Sequence, residues 1–240
     1  MALEPLRRDR RSPTVAPDGA IILLHWSRAA GGGREQALDW SPLPTAGSTP
    51  LRLVPHPTNP AAGLHRLEAS VACEDGRLVL DFSTEGDAGA VRWPSAAAPV
   101  RTDGLWRHTC FEAFLRDSRG PGYCEFNLSP STEWAAYHFT DYRHGMRPLD
   151  LERTPRICAA IEPGQARICA DIALDAVEAT LAGAGSEGST RLLLGLSAVI
   201  EDEAGALSYW ALRHPAERPD FHRPEGFVVE IAAVIGRGQA

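Results

Sequence analysis

The chain has 240 residues, with 31 acidic and 24 basic side chains, a formal net charge of −7 and 44% hydrophobic residues. This length accommodates one large β domain or two small ones, and a hydrophobic share slightly under the globular norm favours one domain plus a tail. The acidic balance excludes a domain-wide basic surface able to displace counterions from phosphates, so nucleic acid is not an expected partner and solubility is the plain use of the charge.

Residues 1–50 carry Arg7, Arg8, Arg10 and Arg11, the run Gly31-Gly32-Gly33 and a breaker-rich stretch from Ser41 to Pro50. Such composition predicts a mobile extension ahead of a domain spanning residues 51–240. The apolar run Ala20 to Trp26 is far short of the ~20 residues that span a bilayer. Pro13, Pro17 and Asp18 separate it from the arginines, so it does not read as a signal peptide, and a cytoplasmic protein without a membrane partner is expected. The 5 cysteines lack CxxC spacing, and their odd number leaves one without a mate. Free thiols in a reducing compartment fit this better than a disulfide framework. A symmetric hairpin about Glu162-Pro163-Gly164-Gln165 would set Cys158 opposite Cys169, although Pro-Gly suits a type II turn better than the mirror-image turns of tight hairpins.

From Leu51 onward, short β-type runs alternate with turn residues, as in a sandwich. Leu67, Ala69, Val71 and Cys73 share one face, Asp75-Gly76 turns the chain, and Leu78, Leu80 and Phe82 return on the matching face. A short strand is predicted at Ala90 to Trp93. Two segments follow across a Gly/Pro turn. In the first, Phe111, Ala113 and Leu115 oppose Glu112 and Phe114; in the second, Cys124, Phe126 and Leu128 oppose Tyr123, Glu125 and Asn127. Pairing them so that both apolar sets meet one core forces Glu112, Phe114, Tyr123, Glu125 and Asn127 onto the other, solvent-facing surface. Trp134 to Thr140 reads as a strand, whereas Asp141 to Asp150 is too broken by Gly145 and Pro148. Arg156 to Ile161 and Ala166 to Leu174 form a further hairpin. The helix predicted at Asp175 to Ala182 has Asp175 as its cap and Glu178 completing a capping box. Arg191 to Ile200 reads as a central strand covered on both sides, and Leu207 to Leu212 and Phe227 to Ile231 complete an all-β antiparallel sandwich with one short helix.

Glu112 and Glu125 have the residue types of a glycosidase acid/base pair, with cross-strand neighbours about 5 Å apart at Cβ. Like charges directly opposite are destabilising without a cation or hydroxyl between them, which weighs against that use. Trp93, Trp106, Trp134, Tyr137, Tyr142, Tyr209 and Trp210 lie near loops or strand ends. Flat rings stack on the C–H faces of sugars, although any one of them also has a place in a sandwich core. His214, Asp220 and His222 flank Pro215 and Pro219, and His138 and His144 bracket Tyr142, but neither spacing matches a zinc site, so no metal is expected. Haem ligation through Met146 with His138 or His144 is the one cofactor alternative, without a CxxCH to support it. Arg143 and Arg213 have the fork geometry that clamps carboxylates or phosphates. Phosphate-loop, dinucleotide-loop and GxSxG patterns are absent.

Gly104-Leu105-Trp106-Arg107-His108-Thr109-Cys110-Phe111-Glu112-Ala113-Phe114, then Tyr123-Cys124-Glu125-Phe126-Asn127-Leu128-Ser129-Pro130 and Tyr142-Arg143-His144-Gly145-Met146 together resemble the DOMON-like proteins of bacteria, relatives of the family 9 carbohydrate-binding modules. The stretch from Tyr209 through His214, Asp220 and His222 to Phe227 is similar to the closing motif of that group, so the resemblance covers about Leu51 to Ile231. It implies a β-sandwich that binds sugars or, in other branches, haem, with Trp106, Glu112, Glu125 and Asn127 nearest the ligand face. The absence of a clear export signal and of an attached catalytic domain departs from the better understood members. The expectation is therefore a non-catalytic module for a small polar ligand, most plausibly a sugar. Trp106 and Trp134 would stack on it, Glu112, Glu125, Asn127 and Arg143 would bond to it, and Tyr142 and His214 would complete the site. A hydrolase using Glu112 and Glu125 and a haem-binding redox domain are the alternatives.

Overall fold

The computed structural model describes residues 21–23, 50–59, 63–74, 76–181 and 190–233. Its strands are β1 (Ile21–Leu23), β2 (Leu51–Pro55), β3 (Leu64–Glu74), β4 (Arg77–Gly86), β5 (Cys110–Asp117), β6 (Tyr123–Leu128), β7 (Trp134–Phe139), β8 (Arg147–Pro148), β9 (Arg156–Glu162), β10 (Gln165–Ala173), β11 (Thr190–Glu201), β12 (Leu207–Ala211) and β13 (Val229–Ala233). The strand pairs are antiparallel and lie in two sheets, ordered β1-β9-β10-β4-β3-β2 and β12-β11-β5-β6-β7-β8, with β13 also on β11. The two sheets are joined where β2 pairs with β12, so one curled sheet folds over itself.

The alternation read from the sequence explains this packing. Leu67, Ala69, Leu78, Leu80, Phe82, Ile168 and Ala170 of the first sheet meet Phe111, Leu115, Phe126, Leu128, Leu194 and Leu196 of the second in one buried cluster. The Phe82 and Phe111 rings touch across the layers at 5.0 Å between centroids. Fully burying each Leu or Phe contributes roughly 1.5–3 kcal/mol, so this layer is the main source of cohesion. The outer face of the first sheet is polar: Asp81 pairs with Arg167, and Asp171 pairs with Arg77 and Arg156.

Most of the predicted elements are present, with informative exceptions. β3 and β4 pair out to Glu74 and Arg77, and Gly76 has the positive φ of 69° that the turn requires; Asp75 lies outside the described residues. Cys158 does stand opposite Cys169, with Gly164 at φ 89° as a type II turn demands. Ala90 to Trp93 is not a strand. The Asp87 carboxylate accepts the Gly89 N–H and starts a short 3-10 turn over Ala88–Ala90, which leaves Val91 a single bridge to Asp202. The helix α1 (Asp175–Leu181) forms without the capping box: Asp175 pairs with Arg153 at 2.5 Å, and Glu178 N–H donates to the Leu174 carbonyl. Arg147–Pro148, predicted to lie outside any strand, pairs with the edge of β7. Ile21–Leu23, predicted to belong to the mobile extension, adds to the β9 edge; residues 1–20 and 24–49 lie outside the described residues. Among the described residues no helix is long and apolar enough to cross a membrane.

Candidate binding site

The second sheet has a second covered face. Side-chain parity puts Cys110, Glu112 and Phe114 of β5, Tyr123, Glu125 and Asn127 of β6, and Tyr137 and Phe139 of β7 on the side away from the inter-sheet core. This is the surface expected to face solvent, yet Glu112, Glu125 and Asn127 are 3%, 6% and 0% exposed. The cover is the segment between β12 and β13. Its Phe227 stacks on Phe114 at 5.7 Å, and its His222 meets Phe114, Tyr123 and Phe139 edge-on. Gly195 on β11 permits this approach, because a Cβ there would come within 2.5 Å of the Phe227 ring.

The cover leaves a cavity of about 350 Å³, lined by Trp106, Glu112, Glu125, Phe139, Arg143, Met146, Val199, Tyr209, Pro219, Phe221 and His222. That volume lies at the small end of the roughly 300–1,000 Å³ typical of small-molecule sites. Its floor is acidic and its walls are aromatic. The register pairs Glu112 with Asn127 and Phe114 with Glu125, so the two acids are diagonal neighbours and not directly opposite, as the glycosidase reading had assumed. Asn127, opposite Glu112 in register, donates from Nδ2 to Glu125 Oε1 at 2.6 Å, while Ser197 on β11 donates to Glu112 Oε2 at 3.2 Å. Burial pushes Glu112 well above the usual carboxylate range, and the neighbouring Glu125 pushes it further. Burial likewise lifts Glu125 to about 7, against the lowering effect of the Asn127 bond and of Arg143.

Arg143, held in the left-handed region at φ 50°, lines the cavity. Its guanidinium is bound to Asp220 Oδ1, at 2.9 Å from Nη2 and 3.3 Å from Nε, rather than spread across an open anion site. The Tyr142 hydroxyl donates to the other Asp220 oxygen at 2.5 Å, and Arg223 lies over the Tyr142 ring at 4.8 Å, so Tyr142 braces the cover and does not line the cavity. His222 is drawn down to about 4, first by burial and then by Arg143. Its Nδ1 lies 2.7 Å from the Tyr123 hydroxyl and its Nε2 lies 3.8 Å from Glu125 Oε2.

Besides Tyr142, three expected site residues do not line the cavity: Asn127, fully buried with its amide bound to Glu125, and Trp134 and His214. Trp134 pairs with Leu128 in register, shares its parity and packs into the inter-sheet core at 8% exposure, so it cannot stack on a ligand in this cavity. Its strand, Trp-Ala-Ala-Tyr-His-Phe, is apolar on both faces, and the alternation gave no sign of which face turns inward. His214 donates from Nε2 to the Val54 carbonyl at 2.8 Å and packs edge-on against His56, tying the cover to β2 outside the cavity. Among the described tryptophans, Trp106 lines the cavity, with its ring 6.0 Å from Tyr137, whereas Trp93 and Trp210 pack on the inter-sheet core. Sequence reasoning did not single out Phe139, Val199 or Phe221. Phe221 sits in the Pro219-to-His222 loop already noted for its histidines, and that loop was the available signal. Met146 lines the cavity, whereas His138 is on the opposite face of β7, with its Nδ1 accepting from Arg147. His144 is two residues from Met146 in one turn, its Nδ1 3.4 Å from the Thr140 hydroxyl. Among the described residues no group of three or more His, Cys, Asp or Glu side chains converges as a metal site.

No protein-family model and no curated protein matches the sequence. Among solved structures, the chain is similar to a candidate carbohydrate-binding protein of Bacteroides uniformis, at 16% identity over 76% of this chain and 84% of that one, with a TM-score of 0.55. It is also similar to a family 9 carbohydrate-binding module of Caldicellulosiruptor kristjanssonii in complex with cellotriose, at 11% identity over 77% and 81% of the two chains and a TM-score of 0.46. The likeness to the Bacteroides protein is one of fold: both chains are built on the same antiparallel β-sandwich plan.

Proposed function

We propose that the chain is a non-catalytic module that binds a sugar, or a similar small polar ligand, in the cavity of the second sheet. The observation that carries this reading is the pairing of an aromatic wall, Trp106, Tyr209 and Phe221, with a polar floor, Glu112 and Glu125, in one cavity. Ring faces take the C–H faces of a sugar, while the carboxyl groups accept from or donate to its hydroxyls. Asn127 holds Glu125 in place from below. The shared fold with a protein described as a candidate carbohydrate-binding protein lends further support.

Burial raises both Glu112 and Glu125, and Glu125 raises Glu112 further, so the floor can donate to as well as accept from the hydroxyls of a ligand. The deciding experiment is calorimetric titration with glucose, cellobiose and other mono- and disaccharides, beside the Trp106→Ala variant. Saturable binding that Trp106→Ala weakens by roughly 1–3 kcal/mol, the stacking and burial of one ring, is expected. Absence of binding to every sugar, or an effect of Trp106→Ala on stability alone, would end the carbohydrate reading.

A further inference from the structure

We infer that the cavity selects a ligand with a protonated amine, an amino sugar in preference to a neutral one, with its ammonium group between Glu112 Oε1 and Glu125 Oε2. This rests on the sugar-binding reading and adds to it the charge of the ligand. The two carboxyl groups each keep one oxygen free. Among the described residues no hydrogen bond is made to Glu112 Oε1 or to Glu125 Oε2, and His222 Nε2 stands 3.8 Å from the latter, too far for a hydrogen bond. Both oxygens belong to side chains that are more than nine-tenths buried and line the same space.

The surrounding groups neutralise the pair only in part. Arg143, a cation on the lining, favours the charged form of both acids, but its hydrogen bonds go to Asp220, which also holds the Tyr142 hydroxyl and Arg223. Burial keeps His222 uncharged and the Cys110, Tyr123 and Tyr137 groups protonated. The empty cavity is therefore left with two acids that can be buried only by retaining a proton. An ammonium group offers three donors and a positive charge, satisfies both free oxygens at once and is also attracted by the faces of the aromatic wall. A neutral hydroxyl offers one donor and leaves the second acid to keep its proton. When the ammonium enters, the proton held by the pair is released to solvent and the bound complex has two carboxylates facing one cation.

The test is calorimetry on the full chain with glucosamine, N-acetylglucosamine and glucose, each in two buffers of different ionisation heat. Glucosamine should bind roughly tenfold more tightly than either neutral sugar, as expected where charge-assisted bonds are about twice as strong as neutral ones, and with release of a proton. Glu112→Gln and Glu125→Gln should each remove that preference. Equal or tighter binding of glucose or N-acetylglucosamine, or glucosamine binding without proton release, would overturn the inference and leave the sugar reading standing. Failure of all three sugars to bind would overturn the inference, and the sugar reading with it if cellobiose and the other saccharides of the wider titration also fail. Should either glutamine variant fail to fold, the wild-type comparison of the three sugars and the proton count decide the matter alone.

Discussion

The Tyr123 hydroxyl stands 2.7 Å from His222 Nδ1 and joins the floor of the cavity, on β6, to the segment that roofs it. The Arg143 N–H donates to the same oxygen at 3.2 Å, so one phenol fastens the turn after β7 as well as the cover. Tyr123→Phe keeps the ring, stacked on Phe139 at 4.7 Å, and deprives His222 and Arg143 of their partner. Leaving such groups unpaired costs about 1–3 kcal/mol, so urea denaturation should show a loss of that size, with faster amide exchange across residues 212–228. An unchanged midpoint and unchanged exchange would show that the cover is held by its aromatic packing alone.

His222 and Glu125 pull the pH dependence of stability in opposite directions. The His222 pKa falls from 6.5 to about 4 on folding, so its contribution is fully present above pH 6.5 and is lost as the pH falls through about 4. Glu125 rises from 4.5 to about 7, so its contribution is fully present below pH 4.5 and is lost as the pH rises through about 7. Glu112, also raised by burial, adds to the second effect. Glu125→Gln should therefore shrink the loss on raising the pH from 4.5 to about 7 and leave the His222 loss on acidification in place. Denaturation curves for wild type and variant that stay parallel over this interval would count against a protonated Glu125.

Trp134→Ala separates the two faces of the second sheet. The indole fills the inter-sheet core, and truncation of a buried Trp costs about 3–5 kcal/mol. Because the cavity lies across the sheet, ligand affinity of the folded variant should stay close to wild type. A large loss of affinity with little loss of stability would restore Trp134 as a stacking residue and displace the cavity as the site.

Gly195→Ala tests how closely the cover sits on β11. The new methyl would lie 2.5 Å from Phe227 Cδ1 and 3.4 Å from the Gly226 carbonyl, so the ring must leave its stack on Phe114. Overpacking of this kind costs about 1–3 kcal/mol, and thermal unfolding should register it together with weaker ligand binding. A variant as stable as wild type would mean that Phe227 has room to move.

Much of the fold was legible because a strand has a period of two. Once Phe111, Ala113 and Leu115 are assigned to a core, Glu112 and Phe114 have no freedom to join them, and the same holds for Glu125 and Asn127 beside Phe126. The alternation failed where both faces of a strand are apolar, as in β7, and there Trp134 was assigned to the wrong side. Tyr142 and Arg143 belong near the site by position in the chain, but their engagement with Asp220 depends on where a distant loop comes to rest.

Acids, an amide and aromatic rings fall on one face of the second sheet for a reason already present in the chain, because side-chain parity along a strand is a local property. The roof over this face, the diagonal offset of the two acids and the closure by Phe221 and His222 are not local. Those outcomes depend on inter-strand register and on the docking of the segment between β12 and β13, both fixed by packing between residues remote in the chain. The burial that this docking imposes is also what lifts the two carboxyl groups out of their ordinary range, an effect that no pattern of residues along the chain contains.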